Sequence, residues 1–349
     1  MKLLIITQKV AKNDPILGFF HRWLEEFAKN FEKVTVICLE KGEYNLPDNV
    51  RILSLGKEEG SSRFKYVSRF YKYIWNERKN YDAVFVHMNP IYIVLGGLFW
   101  RIWRKKISLW YVHRQVNLKL KIAEKLANKI FTSSPESFRL KSKKVNYLGH
   151  GIDAVSFEVP KAVFTGKIVV LYVGRISKIK NIDVIIEAFS VVSTKFDIHL
   201  RIVGGSITDQ DYEYKKILKE KIHVLGLDNK VEWMGSIPNT EMLPQYLSSS
   251  FSINASPNGG MDKVVLESLV AKRPVFVSNL AFKSVYQDLW SKFGFESGKP
   301  ELLIEKIISF LEESEDEKEN SINKLEKRVR EEYNIDNIIN KISQLLDND

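Results

Sequence analysis

A chain of 349 residues exceeds what one hydrophobic core comfortably organises, and its 44% hydrophobic and 28% charged content excludes a disordered or fibrous protein. The single cysteine, Cys38, excludes a disulfide framework and a cysteine-built zinc site, and it suits a reducing cytoplasm. The net charge of +10 is uneven: residues 1–165 hold 29 Lys+Arg against 15 Asp+Glu, whereas residues 166–349 hold 24 against 28, so an anionic surface or acceptor is expected to meet the first half.

The chain opens on MKLLIITQKV, which reads as a first β-strand over residues 2–6 rather than a signal peptide. Gly18 heads a helix over 18–30, and strands are expected at 34–39 and 51–55. A helix over 62–79 interleaves Phe64, Tyr66, Phe70, Tyr71, Tyr73 and Trp75 with basic residues. After a strand at 82–87, the stretch 91–106, IYIVLGGLFWRIWRKK, sets Phe99, Trp100 and Trp103 beside Arg101, Arg104, Lys105 and Lys106. Two readings are open there. Aromatics beside a basic cluster suit the interface of an anionic membrane. A helix packed on a sheet with a basic last turn is the plainer alternative. The uninterrupted apolar part, 91–100, is about half of what a bilayer span needs, so the protein is expected to be soluble in the cytoplasm or peripheral at the inner membrane face.

His113 lies at the end of a strand over 108–112, where a histidine can serve a ligand or simply satisfy the strand end. Strands at 129–132 and 145–147 complete the first half, and residues 154–166 show no clear period and read as a linker. The second half restarts the alternation with strands at 168–173, 199–203, 230–233, 252–254 and 275–277. Apolar strands separated by helices imply buried parallel sheets, hence an α/β chain of two Rossmann-like, doubly wound domains facing a central cleft. The expected division is 1–160, 167–330, and a C-terminal helix over 331–349 packing back toward the N-terminal domain. The charged stretch 312–330 reads as a solvated helix. Ile335, Ile338, Ile339, Ile342, Leu345 and Leu346 recur at helical spacing beyond it.

Two loops of the second half carry chemistry. In the first, Gly174 ends a strand, and Arg175 and Lys180 offer two fixed cations of the kind a diphosphate needs, both for binding and for charge on a departing nucleotide. Two ordinary surface bases are the plainer alternative. In the second, residues 256–262 lead from a strand into a helix whose first N–H groups can receive an anion. Glu267 falls one turn after Lys263, among Val264, Val265, Leu266 and Leu269, so it is a buried carboxylate in need of a partner, such as the vicinal hydroxyls of a ribose.

Together these stretches resemble the family-4 retaining glycosyltransferases of GT-B fold. The resemblance runs along nearly the whole chain: Gly18, the His-Gly-Ile-Asp element at 150–153, Gly204 with Gly205, Trp233 to Gly235, and the two loops. It implies that Arg175 and Lys180 grip the donor diphosphate and that Gly18 and Gly174 allow close backbone approach. Ser236 and Ile237 would meet the base, and Glu267 would hold the ribose. Gly259, Gly260, Met261, Asp262, Lys263 and Val264 would touch sugar and phosphate through the main chain, and His113 would contact the transferred sugar. The family's first acidic residue, eight positions before Glu267, is Gly259 here, and Asp262 is the candidate replacement. The implied donor is a nucleoside-diphosphate sugar, with no separate cofactor. The acceptor is a saccharide or lipid-linked saccharide.

No metal is expected, because His21, His87, His150, His199 and His223 lack the spacing of a ligand triad and Arg and Lys neutralise charge instead. Two other functions remain open on the sequence: a catalytically idle sugar-nucleotide binder, and a basic single-strand nucleic-acid binder. The second lacks any recognisable module, so no specific nucleic acid is expected.

Overall fold

The computed structural model describes residues 1–14, 17–154, 167–238 and 241–347. Apart from Ala154, the linker read over 154–166 lies outside these residues. The chain divides into two units: unit 1 is Met1–Asp153 with Asn334–Asp349, and unit 2 is Ala154–Tyr333.

Unit 1 is built on a seven-stranded parallel sheet. In chain order it runs β1 (Lys2–Val10), α1 (Phe19–Asn30), β2 (Lys33–Lys41), β3 (Val50–Ser54), α2 (Arg63–Asn76), β4 (Ala83–His87), α3 (Ile91–Ile102), β5 (Lys106–Trp110), α4 (Leu118–Leu126), β6 (Lys129–Thr132) and β7 (Val145–Tyr147). The strand order is β3-β2-β1-β4-β5-β6-β7, so the winding reverses between β1 and β4. Successive side chains of a strand point to opposite faces, and here both faces are covered. Leu3, Ile5, Ala83 and Phe85 join a core with Phe20, Trp23, Leu24 and Phe27 of α1. Leu4, Ile6, Val84 and Val86 join a second core with Phe70 and Ile74 of α2, Tyr92, Ile93 and Trp100 of α3, and Leu120 of α4. That double burial is why the central strands read as unbroken apolar runs.

The last helix of the chain (Ile335–Asp347, α13 below) belongs to the first of these cores. Ile335, Ile338, Ile339, Ile342 and Leu346 share one face of it and pack into the cluster of Trp23 and Phe27. Each such side chain contributes about 1.5–3 kcal/mol by leaving water. Ile335 N–H donates to Ile152 O at 2.8 Å, and Lys106 Nζ caps the terminal carbonyls of Leu346 and Asp347 at 2.7 and 3.1 Å.

Unit 2 carries a five-stranded parallel sheet. Its elements are β8 (Ile168–Val173), α5 (Ile182–Val192), β9 (Ile198–Val203), α6 (Asp209–Val224), β10 (Val231–Gly235), α7 (Met242–Leu247), β11 (Phe251–Asn254), α8 (Lys263–Val270), β12 (Val275–Val277), α9 (Lys283–Tyr286), α10 (Trp290–Phe293), α11 (Pro300–Glu312) and α12 (Glu315–Glu332). The order β10-β9-β8-β11-β12 reverses between β8 and β11, which opens a crevice at the carboxyl ends of those two strands. The charged stretch over 312–330 is indeed helical, but it is not solvated all round. A capping box of Ser314 and Glu317 starts α12, and Ile322, Leu325 and Val329 on one face of it are buried.

Candidate functional site

The unit 2 crevice is shaped first by glycines. Gly174 has φ of 153° and Gly204 has φ of 146°, a region side chains rarely adopt. Gly174 N–H donates to Val203 O at 3.0 Å, Gly204 N–H to Gly235 O at 2.7 Å, and Ile176 N–H to Gly205 O at 2.9 Å. A Cβ on Gly204 would sit 1.8 Å from Gly174 O, so the two strand ends lie backbone to backbone. Ser236, directly after β10, abuts the same edge: a Cβ on Gly205 would meet its Oγ at 2.4 Å. Ile237 beside it is half-buried.

The loop after β8 carries Arg175 and Lys180, and the structure ties each to its own carboxylate. Arg175 Nε donates to Asp211 Oδ2 at 2.8 Å, and its second nitrogen lies 2.7 Å from the same oxygen. Asp211 belongs to the first turn of α6, in a capping box with Thr208. Burial works to raise the Asp211 carboxyl, but N–H donors from Thr208 and Ile207 together with Arg175 outweigh it and hold it at about 2. Lys180 Nζ lies 3.0 and 2.8 Å from the two oxygens of Asp262 and 3.2 Å from Ser256 Oγ. Asp262 also accepts from Asn254 Nδ2 and Ser256 Oγ, both at 2.9 Å. Burial pushes that carboxyl up, and Lys180, Asn254 and Ser256 bring it below the ordinary carboxylate range. Asn181, left-handed at φ 50°, pins the loop by donating to Ala255 O at 3.0 Å and Ser297 Oγ at 3.1 Å.

Helix α8 supplies the third charged pair. Glu267 is buried and accepts from Tyr246 Oη on α7 at 2.9 Å. Burial first, and then the Glu267 charge, push the Tyr246 hydroxyl well above its ordinary value, so it remains a donor. Lys263, half-buried on the first turn, is lowered to about 7 by burial, against the pull of Glu267. Asp262 precedes α8 but caps none of its N–H groups, since its carboxylate is turned to Lys180. The loop is fastened from behind. Asn279 accepts from Gly259 N–H at 3.2 Å and donates to Gly260 O at 2.9 Å. Met261 is buried, and Val264 is half-buried. One loop N–H expected to face a ligand, that of Gly259, is thus already engaged internally.

Thus Gly174, Arg175, Lys180, Asp262, Lys263 and Glu267 meet around one crevice, with Ser236 and Ile237 at its β10 side. Sequence reasoning missed Asp211, Tyr246, Asn254 and Asn279. Only Asp211 had a local signal, Thr208 three residues before it, the spacing of a capping box.

Two site residues belong to unit 1. Gly18 has ordinary helical angles, φ −55° and ψ −32°. A Cβ there would meet Asp14 O at 2.5 Å and Lys12 O at 2.7 Å, so the close approach it permits is to its own loop. His113 follows β5, is exposed, and lies 6.1 Å from the Tyr111 ring. A histidine passed over by sequence reasoning, His87, occupies the unit 1 strand-order reversal. It is buried at the end of β4, stacked on Phe20 at 4.2 Å and 3.2 Å from Thr7 Oγ1. Met88 after it has φ of 64°, unusual for a residue with a side chain. Among the described residues, no group of three or more His, Cys, Asp or Glu side chains is placed to hold a metal.

Residues 156–329 match the family described as Glycosyl transferases group 1. Mannosylfructose-phosphate synthase from Agrobacterium fabrum (strain C58 / ATCC 33970) is 26% identical over 156 residues, 41% of this chain, and the chain spans about a third, 34%, of that relative's length. Among solved structures, Anabaena HepE in complex with UDP superposes with a TM-score of 0.79 at 16% identity, covering 100% of both chains. Sucrose-phosphate synthase from Thermosynechococcus elongatus gives 0.75 at 16% identity over 99% of this chain and 98% of that one. At such identities the likeness establishes the fold: two parallel sheets with flanking helices, the GT-B architecture.

Proposed function

We propose, from the premise that residues 156–329 belong to the glycosyl transferases group 1, that this protein moves a hexose-type sugar from a nucleoside-diphosphate sugar, with retention, to a saccharide or lipid-linked acceptor at the cytoplasmic face of a membrane. One observation carries the proposal: two cations on the β8 loop and the buried Glu267 converge on the strand-order reversal of a single parallel sheet. A diphosphate bridges such cations, and a buried carboxylate with oxygen lone pairs to spare takes the paired hydroxyls of a ribose.

In this reading the chemical work is positioning and stabilisation of the leaving group. The bond between the anomeric carbon and the phosphate oxygen breaks, and the nucleoside diphosphate leaves with the electron pair. The acceptor oxygen bonds to that carbon on the same face, and its proton passes to the departing phosphate. Arg175, Lys180 and Lys263 offset the charge that accumulates, so the step requires no metal ion. His113 hydrogen-bonds the transferred sugar rather than acting as a base, so His113→Ala is expected to lower turnover about tenfold or more while donor affinity stays unchanged. Full turnover in that variant removes His113 from the site.

In this reading Arg175, Lys180 and Glu267 supply the nucleotide end of the crevice, whereas the sugar end has Gly259 where a carboxylate would read hydroxyls. That departure favours one second reading, a sugar-nucleotide binder that transfers nothing. A thermal-shift panel of UDP-, GDP-, ADP- and dTDP-sugars tests the first claim, because a bound donor stabilises the fold in proportion to occupancy. The UDP held by HepE makes uridine donors the first to try. Silence across the whole panel overturns the proposal. A shift without any transfer to saccharide or lipid-linked acceptors leaves the idle binder.

A further inference from the structure

Unit 1 turns a second face outward that its core does not use. Helix α2 buries Phe70 and Ile74, yet Phe64, Val67, Tyr71 and Trp75 recur on it at helical spacing along another stripe. Phe64 is 88% exposed, Val67 40% and Trp75 53%. Helix α3 does the same. It packs inward through Tyr92, Ile93 and Trp100, and so closely that a Cβ on Gly97 would meet Leu126 at 2.8 Å. Its Leu98 and Ile102 are nevertheless 64% and 75% exposed. Ring contacts join the two stripes into one surface: Tyr71 to Phe99 at 5.8 Å, Phe99 to Trp103 at 5.8 Å and Trp75 to Trp103 at 5.7 Å.

The charge around this face is predominantly positive, with Arg69 of α2 paired to Glu59 at 2.8 Å. Residues 63–106 contain ten Lys and Arg against two acidic residues. Both acids are engaged elsewhere, Glu77 by Arg51 at 3.0 Å and Asp82 by the Lys2 N–H at 2.8 Å. Arg63, Lys65, Lys72, Lys79 and Arg104 are exposed, and Arg78 lies over the Trp75 ring at 4.5 Å. The basic turn does cap structure in part, since Arg101 donates to Leu126 O at 2.8 Å and Lys105 to Tyr81 O at 2.6 Å. The plainer reading of the 91–106 stretch, a helix packed on a sheet with a basic last turn, accounts for its inward side and leaves Leu98 and Ile102 unexplained.

We propose that the α2–α3 face, with Phe64, Trp75, Leu98, Phe99, Ile102 and Trp103 as its apolar surface and lysines and arginines as its surround, docks the protein onto an anionic lipid bilayer. Exposed aliphatic and aromatic side chains enter the boundary between headgroups and acyl chains, and the basic surround meets the negative surface potential. A second copy of the chain fits badly, because two such faces would oppose cation to cation. A single-stranded nucleic acid would use the rings but leave Leu98 and Ile102 in water. Among the described residues no helix is long and apolar enough to cross a membrane, so the contact is peripheral. The inference rests on the proposed reading only for its purpose, which is to hold the enzyme where a lipid-linked acceptor lies.

Co-sedimentation of the full chain with vesicles tests it. Phosphatidylcholine containing roughly 30% phosphatidylglycerol is expected to pellet the protein, pure phosphatidylcholine much less, and added salt should release it. A Phe64→Ser, Leu98→Ser, Ile102→Ser triple variant should partition about tenfold or more weakly while its melting temperature and donor-induced thermal shift stay unchanged. Undiminished binding by that variant overturns the proposal, as does indifference to anionic lipid. So does a dimer, or an oligonucleotide complex, that the triple variant abolishes. Lys180→Ala keeps the outcomes apart: it should lose the donor shift and retain vesicle binding, so either idea can fail alone.

Discussion

Both sheets reverse their winding once, between β1 and β4 in unit 1 and between β8 and β11 in unit 2, and the two reversals are chemically opposite. The unit 2 reversal is a charged crevice in which Arg175, Lys180 and Lys263 each face a carboxylate, of Asp211, Asp262 and Glu267. The unit 1 reversal is packed with rings, with His87 against Phe20 and Thr7. One topology thus provides two places where strand ends open, and only side chains decide whether such a place holds an anion or a ring stack. The charge bias runs the other way: the basic half of the chain has the ring-packed reversal, and many of its cations lie on an exposed helical face.

The contrast predicts two mutants with opposite signatures. On the proposed reading of Glu267 as the ribose acceptor, Glu267→Gln should weaken donor binding about a hundredfold, because a charged hydrogen-bond acceptor becomes neutral, with the fold intact by circular dichroism. His87→Ala should leave donor affinity alone and cost about 2–3 kcal/mol of stability by emptying a buried ring site, a fall of roughly 5 °C or more in melting temperature. Exchanged phenotypes would end the distinction between the two reversals.

A smaller effect separates two roles for Asp262. Its carboxylate is filled by Lys180, Asn254 and Ser256. Asp262→Ala should therefore loosen Lys180 and weaken every donor about tenfold without altering the order of preference among sugars. A changed sugar preference shows instead that Asp262 takes the place vacated at Gly259. If neither affinity nor preference moves, Asp262 has no part in donor binding.

The smallest effect is in pH. Burial lowers the Lys263 ammonium to about 7 in the folded protein, from an ordinary 10.5. The unfolded chain then holds the extra proton between those values, so this residue makes stability rise with pH from about 7 upward. Donor binding has the opposite sign, because a diphosphate favours the charged lysine. Affinity for a nucleotide sugar should fall several-fold between about pH 6 and 8.5, while the donor's own diphosphate does not titrate there. Lys263→Met should flatten both slopes. Isothermal titration across that range checks the sign, and a flat profile in the unaltered protein places the phosphate away from the head of α8.

Much of the fold could be read from the sequence because burial on both faces writes itself locally. Leu3 to Ile6 is an unbroken apolar run since each neighbour meets a different core. Glu267 betrayed its burial through Val265, Leu266 and Leu269. What sets the condition of the site was not readable. Asp211 holds Arg175 from 36 positions away, and Tyr246 reaches Glu267 across 21. Such pairings depend on where the sheet delivers loop ends, which no local period encodes. The solvated reading of the charged stretch before the last helix failed for a related reason. Its composition is dominated by the face toward water, and Ile322, Leu325 and Val329 are too few to show in a total.

The Ile335–Leu346 stripe has a consequence for how the molecule comes into being. Unit 1 is not a contiguous piece of chain, because its core needs a helix encoded after all of unit 2. During synthesis the half that is made first must wait, with Trp23 and Phe27 short of their final neighbours, until residues beyond 334 have left the ribosome. The order of manufacture and the order of completion are inverted. A premature stop before that helix would spare unit 2 and strand unit 1 as a client for chaperones.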